Sequence, residues 1–155
     1  MSICYWGDKF YGIDRIENAD LFDTDKEREV ILNSLKKTDE SLYEKFLEEE
    51  VNFEEIDLYE TDNGIDDFTD FLSDTEVVPY AVDSCNGNLI FFGVNYSLPW
   101  EVVNLKSQEE VDQDIYNAIK PILKDGVSFL DIKPRIETYI INGQDDYVSY
   151  YGAGK

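Results

Sequence analysis

Four aspartates stand close together in the stretch IDDFTDFLSD, which covers residues 65 to 74: Asp66, Asp67, Asp70 and Asp74. No lysine or arginine lies among them. Carboxylates grouped in this way can help to hold a divalent cation in a hydrolytic site, or they can bind a positively charged partner. The types of residue found elsewhere in the sequence favour the second use.

The sequence lacks most of what an enzyme needs. It contains no histidine, which excludes a Ser-His-Asp triad, a Cys-His pair and every imidazole-ligated metal site. The two cysteines, Cys4 and Cys85, have no histidine base and no evident basic neighbour that would lower a thiol pKa. Neither glycine-rich nucleotide-binding motif occurs. We therefore predict a protein that is not an enzyme and uses no cofactor.

The stretch DLYETDNGIDDF resembles a calcium-binding loop, but its spacing is wrong. An EF-hand loop needs aspartate at position 1 and glycine at position 6. With Gly64 at the sixth position, Tyr59 takes the first position and supplies no carboxylate. A metal-dependent nuclease would also need a basic track for its substrate, which the sequence lacks. We predict no metal site, and a small metal-dependent hydrolase stays as an alternative hypothesis.

Negative charge is concentrated in one part of the chain. The 155 residues include 35 acids and 13 bases, which give a formal net charge of −22. Residues 39–76 hold sixteen acids and one base, Lys45, and therefore a net charge of −15. Such a chain repels DNA, RNA and anionic membranes, so we predict that it binds none of them directly. The expected partner is a basic protein surface.

Composition indicates one folded domain. Hydrophobic residues make up 43% of the sequence and aromatic residues 14%, which a disordered acidic tail would not have. No proline- or serine-rich linker divides the chain, so we predict a single domain over residues 1–155 with a strongly acidic helical flank at 39–76. The N-terminus MSICYWGDKF has no signal-peptide pattern, and no run of 18 apolar residues occurs. We expect a cytoplasmic location.

Helical periodicity orients the acidic side chains. Ile65, Phe68, Phe71 and Leu72 fall within about 120° on a helical wheel, and the four aspartates fall on the opposite side. The same reasoning predicts a helix over residues 39–50, with apolar residues from Leu42 to Leu47 on one face. We predict that the two carboxylate faces bind the partner through these residues: Glu44, Glu48, Asp66, Asp67, Asp70 and Asp74.

The other elements predict an α+β fold. SICYW reads as a first strand that ends at Gly7, and Thr24 with Glu27 has the spacing of a capping box for a helix over 25–37. Ser107 with Glu110 has the same spacing before a helix that Pro121 bends or ends near Lys120.

Two hairpins complete the pattern. Asn86-Gly87 predicts a turn in the first hairpin, over residues 78–96, where Pro79 indicates an edge strand or a bulge. A last hairpin is predicted around Asn142-Gly143. We predict an antiparallel sheet of about three to five strands, with helices packed on one face.

The chain resembles a loose class of small acidic inhibitors that imitate nucleic acid, such as phage anti-restriction and anti-CRISPR proteins. The resemblance rests on size, charge and the carboxylate-faced helices at 39–50 and 65–76. Eight helical steps from Asp66 to Asp74 cover about 12 Å, or one charge per roughly 3 Å, close to the spacing of about 3.4 Å between phosphates of one DNA strand. The resemblance implies a nuclease or another nucleic-acid-binding protein as partner, and it implies no catalytic residues. An immunity protein that neutralises a nuclease toxin is an alternative with the same physical basis.

Overall fold

The computed structural model describes residues 5–38, 40–41, 43–44, 71–72, 74–84, 87–95, 107–144 and 147–154. The strands in these ranges are β1 (Tyr5–Asp14), β2 (Val78–Ser84), β3 (Gly87–Asn95), β4 (Glu137–Gln144) and β5 (Tyr147–Gly152). They form one antiparallel sheet in the order β2-β3-β1-β4-β5. The helices are α1 (Thr24–Thr38), α2 (Gln108–Ile119) and the short α3 (Phe129–Ile132). The predicted α+β fold with an antiparallel sheet is confirmed.

The central strand β1 is longer than the sequence predicted. It continues through Gly7 to Asp14, so the prediction of a strand that ends at Gly7 is wrong. Gly7 lies opposite Asn142 of β4, and Gly12 lies between Gly93 of β3 and Glu137 of β4. Pairing with β4 along Tyr5–Gly12 and with β3 along Phe10–Asp14 holds β1 extended past its glycines.

The larger apolar core lies between one face of the sheet and the helices. Tyr11, Ile13, Ile90 and Phe92 provide the sheet side of this core and are almost fully buried. The periodicity of α2 places its apolar residues against them: Val111, Ile115, Ala118 and Ile119. The helix-bearing face is therefore the face that the odd-numbered residues of β1 define.

The opposite face of the sheet is also buried. Phe10, Phe91 and Tyr139 are each at most 2% exposed, and the ring centroids of Phe91 and Tyr139 are 4.7 Å apart. These two rings belong to strands on either side of β1: Phe91 lies opposite Asp14 and Tyr139 lies opposite Phe10, with Gly12 between these two positions. The edge strands β2 and β5 approach each other, so the sheet is strongly curved.

Both predicted hairpins form, but their turns differ from the predictions. Val78–Ser84 pairs with residues 87–93, and β2 is an edge strand, as Pro79 indicated. Gly87 is already in β3 opposite Ser84, so the link consists of residues 85–86, which lie outside the described residues.

Asn142 and Gly143 pair with Ser149 and Val148 inside the ladder of β4 and β5, so the turn predicted there is wrong. Tyr5 and Trp6 of β1 pair with Gln144 and Gly143, so β4 continues past this Asn-Gly pair. The hydrogen bonds of this pairing favour an extended strand over a local turn.

The helix boundaries follow local chemistry. Ser107 Oγ accepts a hydrogen bond from the Glu110 N–H at 3.3 Å, which confirms the predicted cap of α2. The helix ends at Ile119, and Lys120–Ile122 forms a 3-10 turn that contains Pro121, as predicted. A short bridge between Phe22 and Leu123 then ties this turn to the segment before α1.

Candidate functional site

Two of the six predicted partner-binding residues lie in the described part of the chain. Residues 40, 41, 43 and 44 are helical, in agreement with the helix predicted over 39–50. Tyr43 is partly buried against the core, whereas Glu44 is exposed. This is the orientation that the sequence predicted for these two residues. Glu48, Asp66, Asp67 and Asp70 lie outside the described residues.

Asp74 is exposed but does not lie on a helix. Phe71 is helical, while residues 72 and 74 are in a turn, so the helix predicted to reach residue 76 ends earlier. Thr75 N–H and Thr75 Oγ1 both donate to the Leu72 carbonyl, at 2.9 and 2.8 Å. A threonine that hydrogen-bonds locally in this way competes with helix continuation. Leu72 remains at 2% exposure in the core, so the turn is fixed next to Asp74.

Several acids of the scaffold, by which we mean the chain outside residues 39–76, have identifiable structural roles. Asp23 Oδ1 accepts hydrogen bonds from the Asp25 and Lys26 N–H groups at 3.0 and 3.2 Å and therefore caps α1. Asp131 and Ser128 form a capping box at α3, and the N–H of Ser128 lowers the pKa of Asp131. Neither cap was predicted from the sequence. The cap of α1 could have been predicted from Asp23, which stands directly before Thr24 in the sequence.

Glu27 forms a buried ion pair instead of the predicted capping box with Thr24. Arg15 Nε donates to Glu27 Oε2 at 3.0 Å and Arg15 Nη2 donates to Oε1 at 2.6 Å, and both side chains are 0% exposed. The guanidinium carbon also lies 4.6 Å from the ring centroid of Phe22. The capping-box prediction is wrong because a bidentate arginine holds the carboxylate more strongly than one backbone N–H would.

Two further buried acids stabilise the sheet. Tyr11 donates a hydrogen bond to Asp112, which joins β1 to α2. Asp14 Oδ1 accepts from the Ile16 and Glu17 N–H groups at 2.9 and 3.1 Å, in the turn after β1. Burial raises the pKa of Asp14, and it also raises the pKa of Tyr139 nearby. These groups lie on the scaffold and not on the predicted acidic surface.

Exposed scaffold acids also meet bases. Lys26 Nζ lies 2.7 Å from Asp125 Oδ1, and this hydrogen bond lowers the pKa of Asp125. Lys133 Nζ lies 3.4 Å from Glu109 Oε1. By contrast, no ion pair involves Glu44 or Asp74 within the described ranges. The carboxylates that are predicted to bind a partner and can be located are therefore exposed, and no base of the described scaffold neutralises them.

Comparison with known proteins supplies no relative. No protein-family model matches the chain, and neither a curated protein nor a solved structure matches it. Within the described residues, no three acids or cysteines are grouped so that they could hold a metal ion. No helix in the part of the chain that the structure describes has the length and apolar composition needed to cross a membrane. The described residues present two exposed carboxylates of the predicted acidic surface, Glu44 and Asp74, beside a scaffold with mixed charges.

Proposed function

We propose that this chain is an acidic inhibitor that binds the basic nucleic-acid-binding surface of a nuclease, or of another DNA- or RNA-binding protein. It would act by imitating the charge of nucleic acid, as anti-restriction and anti-CRISPR proteins do. The observation that carries the proposal is the separation of charge along the chain. Residues 39–76 have a net charge of −15, while the scaffold, with nineteen acids and twelve bases, has a net charge of −7.

The roles of the scaffold acids support this proposal. Five of them cap helices, close a turn or form buried contacts: Asp14, Asp23, Glu27, Asp112 and Asp131. Glu44 and Asp74 are exposed, and their carboxylates have no such role among the described contacts. Dense charge of one sign repels itself and lowers stability, so a binding role gives a reason for keeping it.

The mechanism follows from electrostatics. A groove that binds nucleic acid presents lysines, arginines and backbone N–H groups to phosphates. Carboxylates can occupy the same positions, because they are also anionic acceptors. The net charge of −22 would attract such a groove from a distance and raise the association rate. Occupation of the groove then excludes the nucleic acid.

The experiment begins with capture of partners from host lysate in low and in high salt. We expect a nuclease or a nucleic-acid-binding protein to be recovered at low salt only, because salt screens exposed charges over about 8 Å at physiological concentration. The purified partner should then release a labelled oligonucleotide as this protein is added, up to a stoichiometric ratio. Binding without release of the oligonucleotide would contradict charge mimicry.

Two variants of equal net charge sharpen the test. The segment variant changes four acids to asparagine: Asp66, Asp67, Asp70 and Asp74. The scaffold variant changes four exposed acids to the matching amides: Glu17, Asp25, Glu29 and Glu109. Both have a net charge of −18, so a general charge effect would weaken both equally. We expect the segment variant alone to lose the partner, and equal retention by both would refute the proposed surface.

The genes next to this one would separate the two forms of the hypothesis. Phage or mobile-element neighbours favour an inhibitor of host defence. An adjacent nuclease toxin that is captured and inhibited would favour the immunity protein.

A further inference from the structure

One asparagine-glycine pair lies inside the sheet instead of at a turn. Asn142 and Gly143 belong to β4, between β1 on one side and β5 on the other. An asparagine followed by glycine is the sequence in which spontaneous deamidation is fastest, because glycine has no side chain that hinders attack by its backbone nitrogen. The surroundings of this pair in the sheet therefore decide whether it is modified.

The reaction is intramolecular, and water is its only co-reactant. The backbone nitrogen of Gly143 loses its proton and attacks the carboxamide carbon of Asn142, so a new C–N bond closes a five-membered imide and ammonia leaves. Water then adds to one of the two imide carbonyls and opens the ring. One opening gives aspartate, and the other gives isoaspartate, in which the main chain runs through the former side-chain carbons.

The pairing of β4 with β5 shows which way the backbone groups of the pair point. Ala153 N–H donates to the Thr138 carbonyl at 2.8 Å, so the backbone groups of Thr138 point to β5. Successive residues of a strand point to opposite neighbours, and the register of β4 is regular along its length. The backbone groups of Asn142 therefore point to β5, and those of Gly143 point to β1.

The pairing of β1 leads to the same result. Arg15 N–H donates to the Ile90 carbonyl of β3 at 2.8 Å, so the odd-numbered residues of β1 point to β3. The even-numbered residues point to β4, and Trp6 is the one that lies opposite Gly143. Trp6 and Gly143 are therefore a hydrogen-bonded pair of the antiparallel ladder.

The peptide group that joins Asn142 to Gly143 is thus fixed on both sides. Its carbonyl points to Ser149 of β5, and its N–H points to Trp6 of β1. Ring closure requires rotation between the Asn142 Cα and its carbonyl carbon, which turns this peptide group out of the sheet and breaks both bonds. The Asn142 side chain is exposed, but Gly143 is buried, so its nitrogen is shielded from the base that must take its proton.

We propose that Asn142-Gly143 is a deamidation site that reacts only when this end of the sheet opens. Isoaspartate adds a backbone carbon to β4, so the residues after position 142 lose their register with β1 and β5 and the ladder does not re-form. Aspartate keeps the backbone, and the exposed position accepts its charge. The inference goes beyond the proposed function, because it concerns the lifetime of the fold and not the partner.

Peptide mapping by mass spectrometry measures the rate of deamidation at Asn142 in the folded chain and in guanidinium chloride, at the same mildly alkaline pH. The folded chain should react at least about tenfold more slowly, because only the open fraction reacts. Asn63-Gly64 and Asn86-Gly87 serve as references for the rate in the unfolded chain. Equal rates at Asn142 in the two conditions would overturn the proposal.

Two pairs of variants test the hydrogen bonds on each side. Trp6→Pro removes the N–H that points to Gly143, whereas Trp6→Ala keeps it, and Ser149→Pro with Ser149→Ala makes the same comparison on β5. In each pair the proline variant should deamidate about fivefold faster at Asn142, as loss of one hydrogen bond implies. Asp23→Ala weakens α1 beyond the other end of β1 and should leave this rate unchanged.

Equal rates within each pair would contradict the proposal. So would acceleration by Asp23→Ala as large as that by the proline variants, because it would show that only global unfolding exposes the site. Thermal unfolding shows which variants fold. Hydrogen exchange of the Gly143 amide needs no variant, and exchange as fast as in an unfolded chain would also overturn the proposal.

The fate of the modified chains tests the effect on the ladder. Chains deamidated in guanidinium chloride are refolded and treated briefly with protease, and position 142 is then mapped in the resistant and the digested fractions. The resistant fraction should contain aspartate and little isoaspartate at this position. Equal proportions of isoaspartate in both fractions would show that the ladder accepts it, and would refute the proposed loss of register.

Discussion

At the scale of single residues, the structure depends on a few positions where the space or the charge is set by distant parts of the chain. Gly12 and Gly93 lie directly opposite each other on β1 and β3. An added Cβ at Gly12 would come within 2.2 Å of the Phe92 carbonyl oxygen and 2.8 Å of the Gly93 Cα. Since these are backbone atoms, no side-chain movement can relieve the overlap.

We predict that Gly12→Ala lowers the free energy of unfolding by about 3 kcal/mol or more. Gly7→Ala on the same strand is the matched control, because its Cβ would meet no atom closer than 3.4 Å. Urea unfolding of both variants measures the difference. Equal stability of the two variants would contradict the close approach of the β1 and β3 backbones at Gly12.

Asp14 gives a prediction of pH dependence. Burial raises its pKa above the ordinary value of 3.8, so the folded chain holds this proton to a higher pH than the unfolded chain does. Its contribution to stability is therefore complete below the ordinary value and is lost as the pH rises through the raised pKa. Asp14→Asn keeps an oxygen acceptor for the Ile16 and Glu17 N–H groups but does not titrate.

The stability of the Asp14→Asn variant relative to the natural chain should therefore increase as the pH rises from about 3.8 towards neutrality. Urea unfolding at several pH values measures this difference, and groups common to both chains cancel. A difference that stays constant with pH would show that burial of Asp14 does not perturb its ionisation.

At the scale of elements, helix α1 is fixed at its first turn by Asp23 and Glu27, which have different roles. Asp23 accepts two N–H groups of the first turn, whereas Glu27 reaches back to Arg15. The helix is thereby attached to the turn that follows β1, and the Arg15 guanidinium packs on Phe22. The side chain of Thr24 has no hydrogen bond in these contacts.

We predict that Asp23→Ala costs about 1 kcal/mol of stability, as loss of an N-cap does. Thr24→Ala should cost little, because alanine has the higher helix propensity and no hydrogen bond is lost. Thermal unfolding of the two variants compares them. A larger loss for Thr24→Ala would restore the capping box that the sequence indicated.

The buried pair at the start of α1 allows a stronger test. Glu27→Gln should lower the free energy of unfolding by about 3–5 kcal/mol, because it leaves the Arg15 charge buried without its counter-charge. Asp125→Asn breaks the exposed pair with Lys26 and should leave stability nearly unchanged. Equal effects of the two changes in a urea titration would contradict the burial of Arg15 and Glu27.

At the scale of the whole molecule, self-repulsion is the dominant electrostatic feature. The chain has a net charge of −22, of which −15 lies in residues 39–76. The scaffold has twelve bases for its nineteen acids, and four of these acids form ion pairs in the described ranges, whereas the segment has one base for sixteen acids. The scaffold charges should therefore repel each other less than those of the segment. Salt screens such repulsion and should stabilise the fold.

We predict that the melting temperature rises with sodium chloride and that this rise is smaller in the segment variant than in the scaffold variant. The two have the same net charge, so the comparison isolates local charge density. Differential scanning calorimetry at low and high salt measures both. An equal salt effect in the two variants would show that the acids of the segment do not repel each other more than those of the scaffold.

The sequence alone determined the features that depend on residues close together in the chain. Capping-box spacings located α1 and α2, Ser107 and Pro121 marked the limits of α2, and Asn86-Gly87 located the first hairpin within a few residues. The charge of residues 39–76 is a property of composition, and the exposure of Glu44 followed from the apolar face beside it. Local signals were enough because each of these features is stabilised within a few residues of itself.

Only the tertiary structure decided the features that depend on distant partners. The sequence analysis assigned Glu27 to a cap, because the spacing from Thr24 to Glu27 does not show that Arg15 lies beside Glu27 in the fold. The hydrogen bond between Tyr11 and Asp112 joins residues that are 101 positions apart in the sequence. Gly7 and the Asn142-Gly143 pair remain in strands because neighbouring strands supply hydrogen bonds that outweigh their turn preference. Asp74 does not lie on the predicted helix face, because Leu72 is fixed in the core and Thr75 closes a turn by donating to the Leu72 carbonyl. For Glu27, Gly7 and the Asn142-Gly143 pair, a long-range contact outweighs a local preference of about 1 kcal/mol, which is the usual size of such preferences. The turn beside Asp74 combines the burial of Leu72 with the local hydrogen bonds of Thr75.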